Sequence, residues 1–312
     1  MPDRREVEVE RREGVVIAVR PRRVQVQMHD TVHWCDLRRG LLQGDRDERT
    51  PLVVGDGVIL CRSGAADWSI ENRRPRRNRI SRVGSLRPLR EHVIAANVDQ
   101  LLALQSVAQP AFNARGLDRF LALGESVDAT CAICLNKLDL TPASDAERMV
   151  APYRAIGYPV MEICALYGDG LGQVQAFLAG RTTLLVGPSG SGKSTLLNRL
   201  IPGLKLPTRE VSAATGRGVH TTTRVDYLPL PNGGAVLDSP GLRSVQPWIE
   251  PHRLSGLFPE MREKLRGCRF RDCHHQGEPG CAVRAAVTAG EIHPQRYDSY
   301  LRMLQGLESE QS

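Results

Sequence analysis

The amino-acid sequence predicts a multidomain α/β protein with an N-terminal β-barrel at residues 1–95, a parallel α/β domain at 96–248 and a helical domain at 249–312. Short apolar runs with period-two alternation, separated by Gly, Asp and Pro, occupy the first part. In the second part, apolar strand-like runs alternate with amphipathic stretches, as a parallel sheet requires. The third part joins a cysteine and histidine cluster to a polar helical tail. A chain of 312 residues is long enough for two or three such cores.

The N-terminal part predicts a small antiparallel barrel. Its strand-like runs lie at 14–19, 24–28 and 55–60, and a segment with eight Arg and one Glu follows at 71–90. The charge of that segment, +7, equals the formal net charge of the whole chain. Such a block is typical of a polyanion-binding surface or a solvated linker. A barrel with Arg-rich edges favours the five-stranded oligonucleotide-binding type.

The central part predicts a parallel sheet flanked by helices. The predicted strands are 100–107, 129–135, 158–164, 182–186 and 234–238. The predicted helices are 116–126, 144–156, 170–179 and 192–201. This alternation places loops at the carboxyl ends of the strands, where ligands bind in open α/β sheets.

A phosphate-binding loop follows the strand at 182–186 and opens the helix at 192–201. The sequence matches G-x-x-x-x-G-K-[ST], and we expect the nucleotide phosphates to contact Gly187, Pro188, Ser189, Gly190, Ser191, Gly192, Lys193, Ser194 and Thr195. Glycines let backbone N–H groups turn toward phosphates, and the helix N-terminus adds its positive dipole end. Lys193 is expected at the β- and γ-phosphates, and the Ser194 hydroxyl on Mg²⁺.

Two further segments complete a predicted γ-phosphate site. Asp238 ends a strand 45 residues after Lys193 and begins D-S-P-G, in which Asp238 would hold Mg²⁺ and the Gly241 N–H would reach the γ-phosphate. Between the phosphate loop and Asp238, the glycine-hinged loop 216–223 carries three threonines. This composition suits a segment that is ordered by phosphate and Mg²⁺. Thr222 is the favoured Mg²⁺ ligand, and spacing does not exclude its two threonine neighbours.

The choice of base is predicted from N-K-L-D at 136–139, directly after the strand at 129–135. A buried carboxylate at Asp139 can accept hydrogen bonds from N1–H and the 2-amino group of guanine, whereas adenine lacks that pair of donors. Asn136 is expected to contact the base edge and to tie nearby loops together. The stem of Lys137 is expected on the ring face. The motif therefore predicts GTP and GDP as ligands.

A second base-contact loop is expected at Cys164-Ala165, where the strand at 158–164 ends. The Ala165 N–H is placed to meet guanine O6. Ser or Thr usually precedes this alanine, so Cys164 departs from the pattern. A simple strand end is the alternative interpretation.

The order of these motifs is permuted, because the base-recognition segments precede the phosphate loop. A sheet holds its loops in place whatever the connectivity, so a nucleotide site survives the rearrangement. The segment after Asp238 then leads directly into 249–312, which predicts that the GTP state is coupled to the C-terminal domain. Many GTPases place a water-orienting Gln where this chain has Leu242, and His220 is the best local candidate for that task, with a structural or RNA-facing role as the alternative. Catalysis is thus expected from His220, Lys193 and Thr222.

Four residues within fourteen predict a closed structural zinc site in the C-terminal part: Cys268, Cys273, His275 and Cys281. A register that uses His274 instead, and cysteines without metal, remain open. Arginines and a lysine at 262–271 surround the cluster and suit phosphate contacts. The cysteines at 35, 61, 131 and 134 are predicted to be buried core thiols.

These motifs together resemble the ribosome-small-subunit-dependent GTPase A family of bacteria (RsgA, YjeQ or YloQ). The most specific marks are the permuted order, G-R-G-x-H-T-T at 216–222, D-S-P-G at 238–241 and the C-x4-C-x-H-x5-C spacing. The resemblance implies a late-acting assembly factor of the small ribosomal subunit that binds its rRNA, with hydrolysis stimulated by that subunit. It also implies an oligonucleotide-binding barrel at 1–95 and a catalytic role for His220. Cys164 stands where the family usually has Ser.

Two other functions remain as alternatives. One is an RNA-binding scaffold with a structural nucleotide site, and the intact Lys193, Ser194 and Asp238 argue against it. The other is an ATP-dependent phosphotransferase, which Asp139 disfavours. No secretory signal and no apolar run long enough for a membrane span are seen in the sequence, so a cytoplasmic protein is expected. A monomer is the default expectation.

Overall fold

A computed structural model of the chain describes residues 9–20, 23–37, 52–63, 67–83, 91–208, 225–238 and 249–311. These residues belong to two compact units. The first contains the residues up to Val98 together with strands at 226–229 and 235–238, and the second begins at Asp99 and includes 249–311. None of the described helices has the length and apolar character needed to cross a membrane.

The first unit contains a closed five-stranded barrel. Its strands are β1 (Val9–Val19), β2 (Arg23–Met28), β3 (Thr31–Leu37), β4 (Gly57–Ser63) and β5 (Ser69–Arg73). They are hydrogen-bonded in the order β1-β2-β3-β5-β4, and β4 pairs with β1 to close the barrel. Period-two alternation puts Val24, Val26 and Met28 of β2 inside with Trp68 and Ile70. The predicted oligonucleotide-binding barrel is confirmed as a five-stranded barrel.

An antiparallel hairpin follows the barrel, formed by β6 (Arg79–Val83) and β7 (Glu91–Ala96). The arginines that precede it are bound to partners inside the same unit. The guanidinium of Arg76 is 5% exposed and forms a bidentate ion pair with Asp56, at 2.7 and 2.9 Å. Arg74 pairs with Glu13 at 2.6 Å. Over 71–83, the Arg-rich block is therefore largely an internal support of this unit. The remainder, 84–90, lies outside the described residues.

The second unit is built on parallel strands in the order β10-β9-β8-β11. The strands are β8 (Gln100–Ser106), β9 (Thr130–Asn136), β10 (Val160–Glu162) and β11 (Thr182–Val186). The helices between them are α1 (Ala114–Glu125), α2 (Ala143–Ala155) and α3 (Leu171–Leu178), and α4 (Lys193–Leu200) follows β11. All residues of β8 are buried, as expected of a central parallel strand. Each predicted strand and helix of this part is present, with ends shifted by at most two residues.

Strands β12 (Asp226–Pro229) and β13 (Ala235–Asp238) form an antiparallel pair, and Asp238 is the last residue of β13. The remaining helices are α5 (Pro259–Arg262), α6 (Ala282–Thr288) and α7 (Pro294–Gln311). Residues of α5, α6 and α7 share a core with Ala122 of α1. The helical region after 249 thus packs on the nucleotide-binding part within one unit. The domain boundaries at 95 and 248 stay a prediction.

A buried ionic cluster joins α7 to α1 and α5. Arg296 is 3% exposed and contacts Asp118, 0% exposed, at 2.7 Å and Glu260, 5% exposed, at 2.7 Å. The Tyr153 hydroxyl also donates to Asp118, at 2.9 Å. The Arg296 guanidinium lies 4.6 Å from the centre of the Phe258 ring. This cluster fixes the position of the C-terminal helix on the α/β core.

Replacing Arg296 by methionine is expected to lower the free energy of unfolding of this unit by about 3–5 kcal/mol, because two buried carboxylates lose their counter-charge. Arg302→Met on the same helix is the matched control. Arg302 pairs with Asp298 at the surface, with 56% of its side chain exposed, so its loss is expected to cost less than about 1 kcal/mol. Urea unfolding gives the free energy of unfolding of both variants, and hydrogen exchange of the α7 amides reports how far this helix is loosened. Equal destabilisation by the two variants would contradict the role of the cluster.

Candidate functional site

The phosphate loop lies between β11 and α4, as the sequence predicts. The chain turns with positive φ at Gly190 (75°) and Gly192 (101°). A Cβ at Gly192 would lie 2.2 Å from Nδ2 of Asn136, so only glycine allows the two segments to approach this closely. The loop therefore presents backbone at the N-terminus of α4, which is the environment that phosphates prefer.

Lys193 is folded back over the loop. Its ammonium group donates to the carbonyls of Gly187 and Pro188, both at 2.7 Å, and the residue is 5% exposed. Ser191 is fully buried, and its hydroxyl donates to the same Pro188 carbonyl at 3.0 Å. Ser189 and Gly190 are exposed at the tip, and Ser194 and Thr195 are half-buried in the first turn of α4. The lysine charge is thus held beside the backbone that would cradle the phosphates.

Asn136, the last residue of β9, links the base-recognition segments to the phosphate loop. Its Nδ2 donates to the Ser191 carbonyl at 2.9 Å, and its Oδ1 accepts the Ala165 N–H at 2.9 Å. The side chain is 2% exposed, so both hydrogen bonds are shielded from water. One amide therefore ties three of the predicted segments into one arrangement. The Ala165 N–H already has an acceptor, and guanine O6 would have to share or replace it.

Lys137 and Asp139 lie on the turn that follows. Lys137 has a left-handed backbone (φ 67°), and its ammonium group donates to the Gln109 carbonyl. Asp139 lies in a short 3-10 turn over Leu138–Leu140 and is exposed. The buried carboxylate expected from the sequence is not found, because this turn ends at the protein surface. Desolvation of Asp139 has to come from the bound base itself.

The Cys164 thiol contacts Asp139 directly. Its Sγ lies 2.9 Å from Oδ1 of the carboxylate. Burial is the main reason that the pKa of this thiol is raised, and the hydrogen bond to Asp139 adds to the effect. The thiol therefore stays protonated and donates to the carboxylate, as the usual serine hydroxyl would. The departure at Cys164 preserves the hydrogen-bond donor.

Replacing Cys164 by serine is expected to leave GTP affinity within a few-fold of the original, because the donor to Asp139 remains. Replacing Cys164 by valine removes that donor at similar size and is expected to weaken binding about tenfold. Titration of both variants with a fluorescent guanine nucleotide gives the dissociation constants. If the valine and serine variants bind alike, Cys164 does not orient Asp139.

The second candidate site is a metal centre in the region after 249. The ligand atoms of Cys268, Cys273, His275 and Cys281 all lie within 4.8 Å of one another. Nδ1 of His275 is 3.6 Å from Sγ of Cys268 and 3.4 Å from Sγ of Cys281. Ligands on a tetrahedral zinc ion would be about 3.6 Å apart, given the usual Zn–S and Zn–N distances. The structure favours His275 over its neighbour His274, which is exposed.

Hydrogen bonds from outside the ligand set hold this centre in place. The Tyr300 hydroxyl donates to the His274 carbonyl at 2.8 Å, and the Tyr297 hydroxyl donates to the His275 carbonyl at 2.5 Å. The sequence motif gives no sign of these tyrosines, which lie more than twenty residues further along the chain. Burial is the main reason that the pKa of the Cys273 thiol is raised to about 12, and the neighbouring Cys281 adds to it. A divalent cation would favour the thiolates, so the donor set fits one.

Several predicted residues lie outside the described part of the chain. These are Gly241, Leu242 and the loop residues His220, Thr221, Thr222 and Thr223. Asp238 is described and is half-buried at the end of β13. The described geometry thus covers the base-recognition segments and the phosphate loop.

A glycine loop opening a helix, with an N-K-x-D segment bound to it by Asn136, defines a P-loop GTPase in which base recognition comes first along the chain. The family model described as "RsgA GTPase" matches residues 73–248. The chain belongs to this RsgA GTPase family.

Individual relatives agree with this assignment. The small ribosomal subunit biogenesis GTPase RsgA of Gemmatimonas aurantiaca is 41% identical over 85% of this chain and 87% of that protein. The protein of the same name from Shewanella oneidensis is 38% identical over 88% of this chain. The crystal structure of YjeQ from Thermotoga maritima matches with a TM-score of 0.77 and 30% identity, covering 96% of this chain and 99% of that one. YloQ, described as a circularly permuted GTPase, matches with a TM-score of 0.73 over 99% of this chain.

Proposed function

We propose that this GTPase acts on the small ribosomal subunit as a late assembly or maturation factor, and that the subunit stimulates its hydrolysis of GTP to GDP and phosphate. The relatives named small ribosomal subunit biogenesis GTPase support this role. The observation that carries the proposal is the Asn136 amide, which joins the base-recognition turn to the phosphate loop at 2.9 Å on each side. This arrangement suits a guanine nucleotide whose base and phosphates are bound together.

The roles that we propose for the site residues are those predicted from the sequence motifs, and the described contacts support some of them. Asp139, oriented by Cys164, selects guanine, while Lys137 packs on the base and Ala165 lies near its O6 edge. Lys193 exchanges its carbonyl partners for phosphate oxygens. The phosphate cradle is made by Gly187, Pro188, Ser189, Gly190, Ser191, Gly192, Ser194 and Thr195. GTPase activity implies Mg²⁺, which neutralises charge on the β- and γ-phosphates, and we assign Ser194 and Thr222 as its protein ligands.

The switch after Asp238 is proposed to pass the nucleotide state to the C-terminal region. Gly241 would contact the γ-phosphate, and His220 would orient the attacking water in place of the Gln that Leu242 replaces. A partner that orders the loop 216–223 would then raise turnover. This dependence is the reason to expect low activity without the ribosomal subunit.

The proposal assigns one structural zinc ion to Cys268, Cys273, His275 and Cys281. The barrel and the C-terminal region are proposed to bind rRNA. The three domains at 1–95, 96–248 and 249–312 divide these tasks. The place of action is the cytoplasm, and the protein is proposed to act as a monomer.

The test is the rate of GTP hydrolysis with and without purified small ribosomal subunits, beside an ATP control and a large-subunit control. We expect slow GTP turnover that the small subunit raises at least tenfold. With ATP we expect no turnover and no stimulation. An RNA-binding scaffold with a structural nucleotide would bind GTP and the subunit without turnover. Preference for ATP would favour a phosphotransferase and refute the proposal.

A further inference from the structure

Positive charge is distributed differently in the two units. In the first unit the prominent arginines have carboxylate partners: Arg76 with Asp56 at 2.7 Å, and Arg79 with Glu91 at 2.8 Å. Such pairs leave little net field for a polyanion. The densest arginine segment of the sequence is therefore partly neutralised by its own chain.

The segment 266–271 beside the metal centre differs from this. Arg266, Arg269 and Arg271 are all exposed. In the described ranges of the chain, no carboxylate lies within 4.0 Å of their guanidinium groups. Asp272 follows them and forms no ion pair with them at this distance. Three positive charges are thus presented to solvent within six residues.

Phe270 lies between two of these arginines and is 41% exposed. The guanidinium carbon of Arg269 is 5.6 Å from the centre of its ring. An aromatic ring held at the surface among cations has one face on which a planar ligand can stack. The neighbouring cations disfavour a purely apolar partner, because it carries no negative charge to pair with them. Phosphates and unpaired bases offer both complementary features.

The backbone of this segment is held at both ends. Cys268 and Cys273, two of the four clustered metal ligands, enclose 269–272. The Arg269 N–H also donates to the Gly280 carbonyl at 3.1 Å. Because this backbone is already held, mainly side-chain freedom is lost when a ligand binds.

We propose that residues 266–271 form a contact surface for single-stranded RNA, with Phe270 stacking on an unpaired base and Arg266, Arg269 and Arg271 binding the flanking phosphates. The inference rests on the proposed function only in taking RNA as the partner. It names a recognition mode that the GTPase site does not supply. Duplex RNA, whose bases are already stacked, should use only the arginines.

The electrostatic part is tested with the full-length, metal-loaded protein and a single-stranded RNA oligonucleotide of mixed sequence. The variant Arg269→Gln/Arg271→Gln is expected to reduce the slope of log affinity against log salt concentration by about 1.4, since each phosphate contact contributes about 0.7. The matched control Arg115→Gln/Arg302→Gln removes the same charge from exposed arginines paired with Asp298. An equal change in slope for both variants would mean that net charge alone acts, and the proposal would be wrong.

The stacking part is tested at Phe270. Phe270→Leu keeps an apolar side chain without a ring and is expected to weaken single-strand binding about tenfold, with little change for duplex RNA. Phe270→Trp is expected to keep binding, and its added fluorescence should be quenched by RNA. If the leucine variant binds as tightly as the original, Phe270 does not stack on a base.

GTP turnover without RNA is measured for every variant and is expected to stay unchanged, because the segment lies outside the nucleotide site. This readout separates the two proposals. Loss of RNA binding with normal turnover supports the surface. If the unmodified protein lacks GTP turnover but shows these RNA effects, the proposed function is wrong and the RNA contact surface still holds.

Discussion

Replacing Asp139 by asparagine is expected to lower kcat/KM for GTP by a factor on the order of 10³, because an amide presents a donor where guanine also presents donors. The Cys164 thiol, 2.9 Å from Oδ1 of Asp139, orients the carboxylate and cannot replace its charge. Steady-state kinetics with GTP, ATP and XTP measure the effect. Xanthine has a carbonyl in place of the 2-amino group, so the asparagine variant should use XTP better than the original protein does.

A matched control for this change is Asp145→Asn in the first turn of α2. Asp145 forms a surface pair with Arg148, and its loss should leave nucleotide selectivity unchanged. Gain of XTP use by the Asp139 variant would also show that the variant is folded. Unchanged GTP kinetics would remove Asp139 from the base site, and with it the main reason for preferring GTP over ATP.

Replacing Cys281 by serine should reduce the bound metal from about one ion per chain to almost none and destabilise the C-terminal region by several kcal/mol. Cys281 combines three tasks. It belongs to the clustered ligand set, its Sγ accepts the Arg284 N–H at 3.4 Å to cap α6, and it is buried in the core shared by α5, α6 and α7. Metal release monitored with a chromogenic chelator, and hydrogen exchange of α6, report the two effects.

Cys35→Ala provides the comparison, because Cys35 is a buried thiol in the barrel core, remote in sequence from the ligands. That variant is expected to lose stability in the first unit and to keep its metal. Full metal retention by the Cys281 variant would show that the remaining three side chains suffice or that the cluster binds no ion.

The sequence predicted most elements that bind phosphate and base, since backbone chemistry dictates them. A phosphate loop needs glycines at positive φ before a helix, and this need is visible at Gly187, Gly190 and Gly192. The N-K-L-D turn was placed correctly after β9. The predicted burial of Asp139 was wrong. Whether a turn is exposed depends on what packs over it, and no local sequence pattern indicates that.

Several contacts between residues distant in sequence were not predicted. The block at 71–90 was interpreted as a polyanion surface or a linker, whereas Arg74 and Arg76 pair with Glu13 and Asp56. Those carboxylates lie 20 to 61 residues away, and only the closed barrel brings them near. Likewise, the Arg296 cluster needs α1, α5 and α7 packed together. Strands β3, β5, β6, β7 and β12 were also not predicted, and in β3, β5 and β12 most residues are exposed or half-buried, so the apolar alternation is weak.

The Asn136 bridge implies a particular kinetic behaviour. A receptor whose two halves are joined before the ligand arrives loses little conformational entropy on complex formation, so association should approach the rate set by diffusion and orientation. Removing the bridge, as in Asn136→Ala, would let the two halves of the site fluctuate separately. Nucleotide association would then be slower and nucleotide dissociation faster. Affinity changes in most mutants arise mainly from faster dissociation. A slower association rate would therefore be the signature of this single amide.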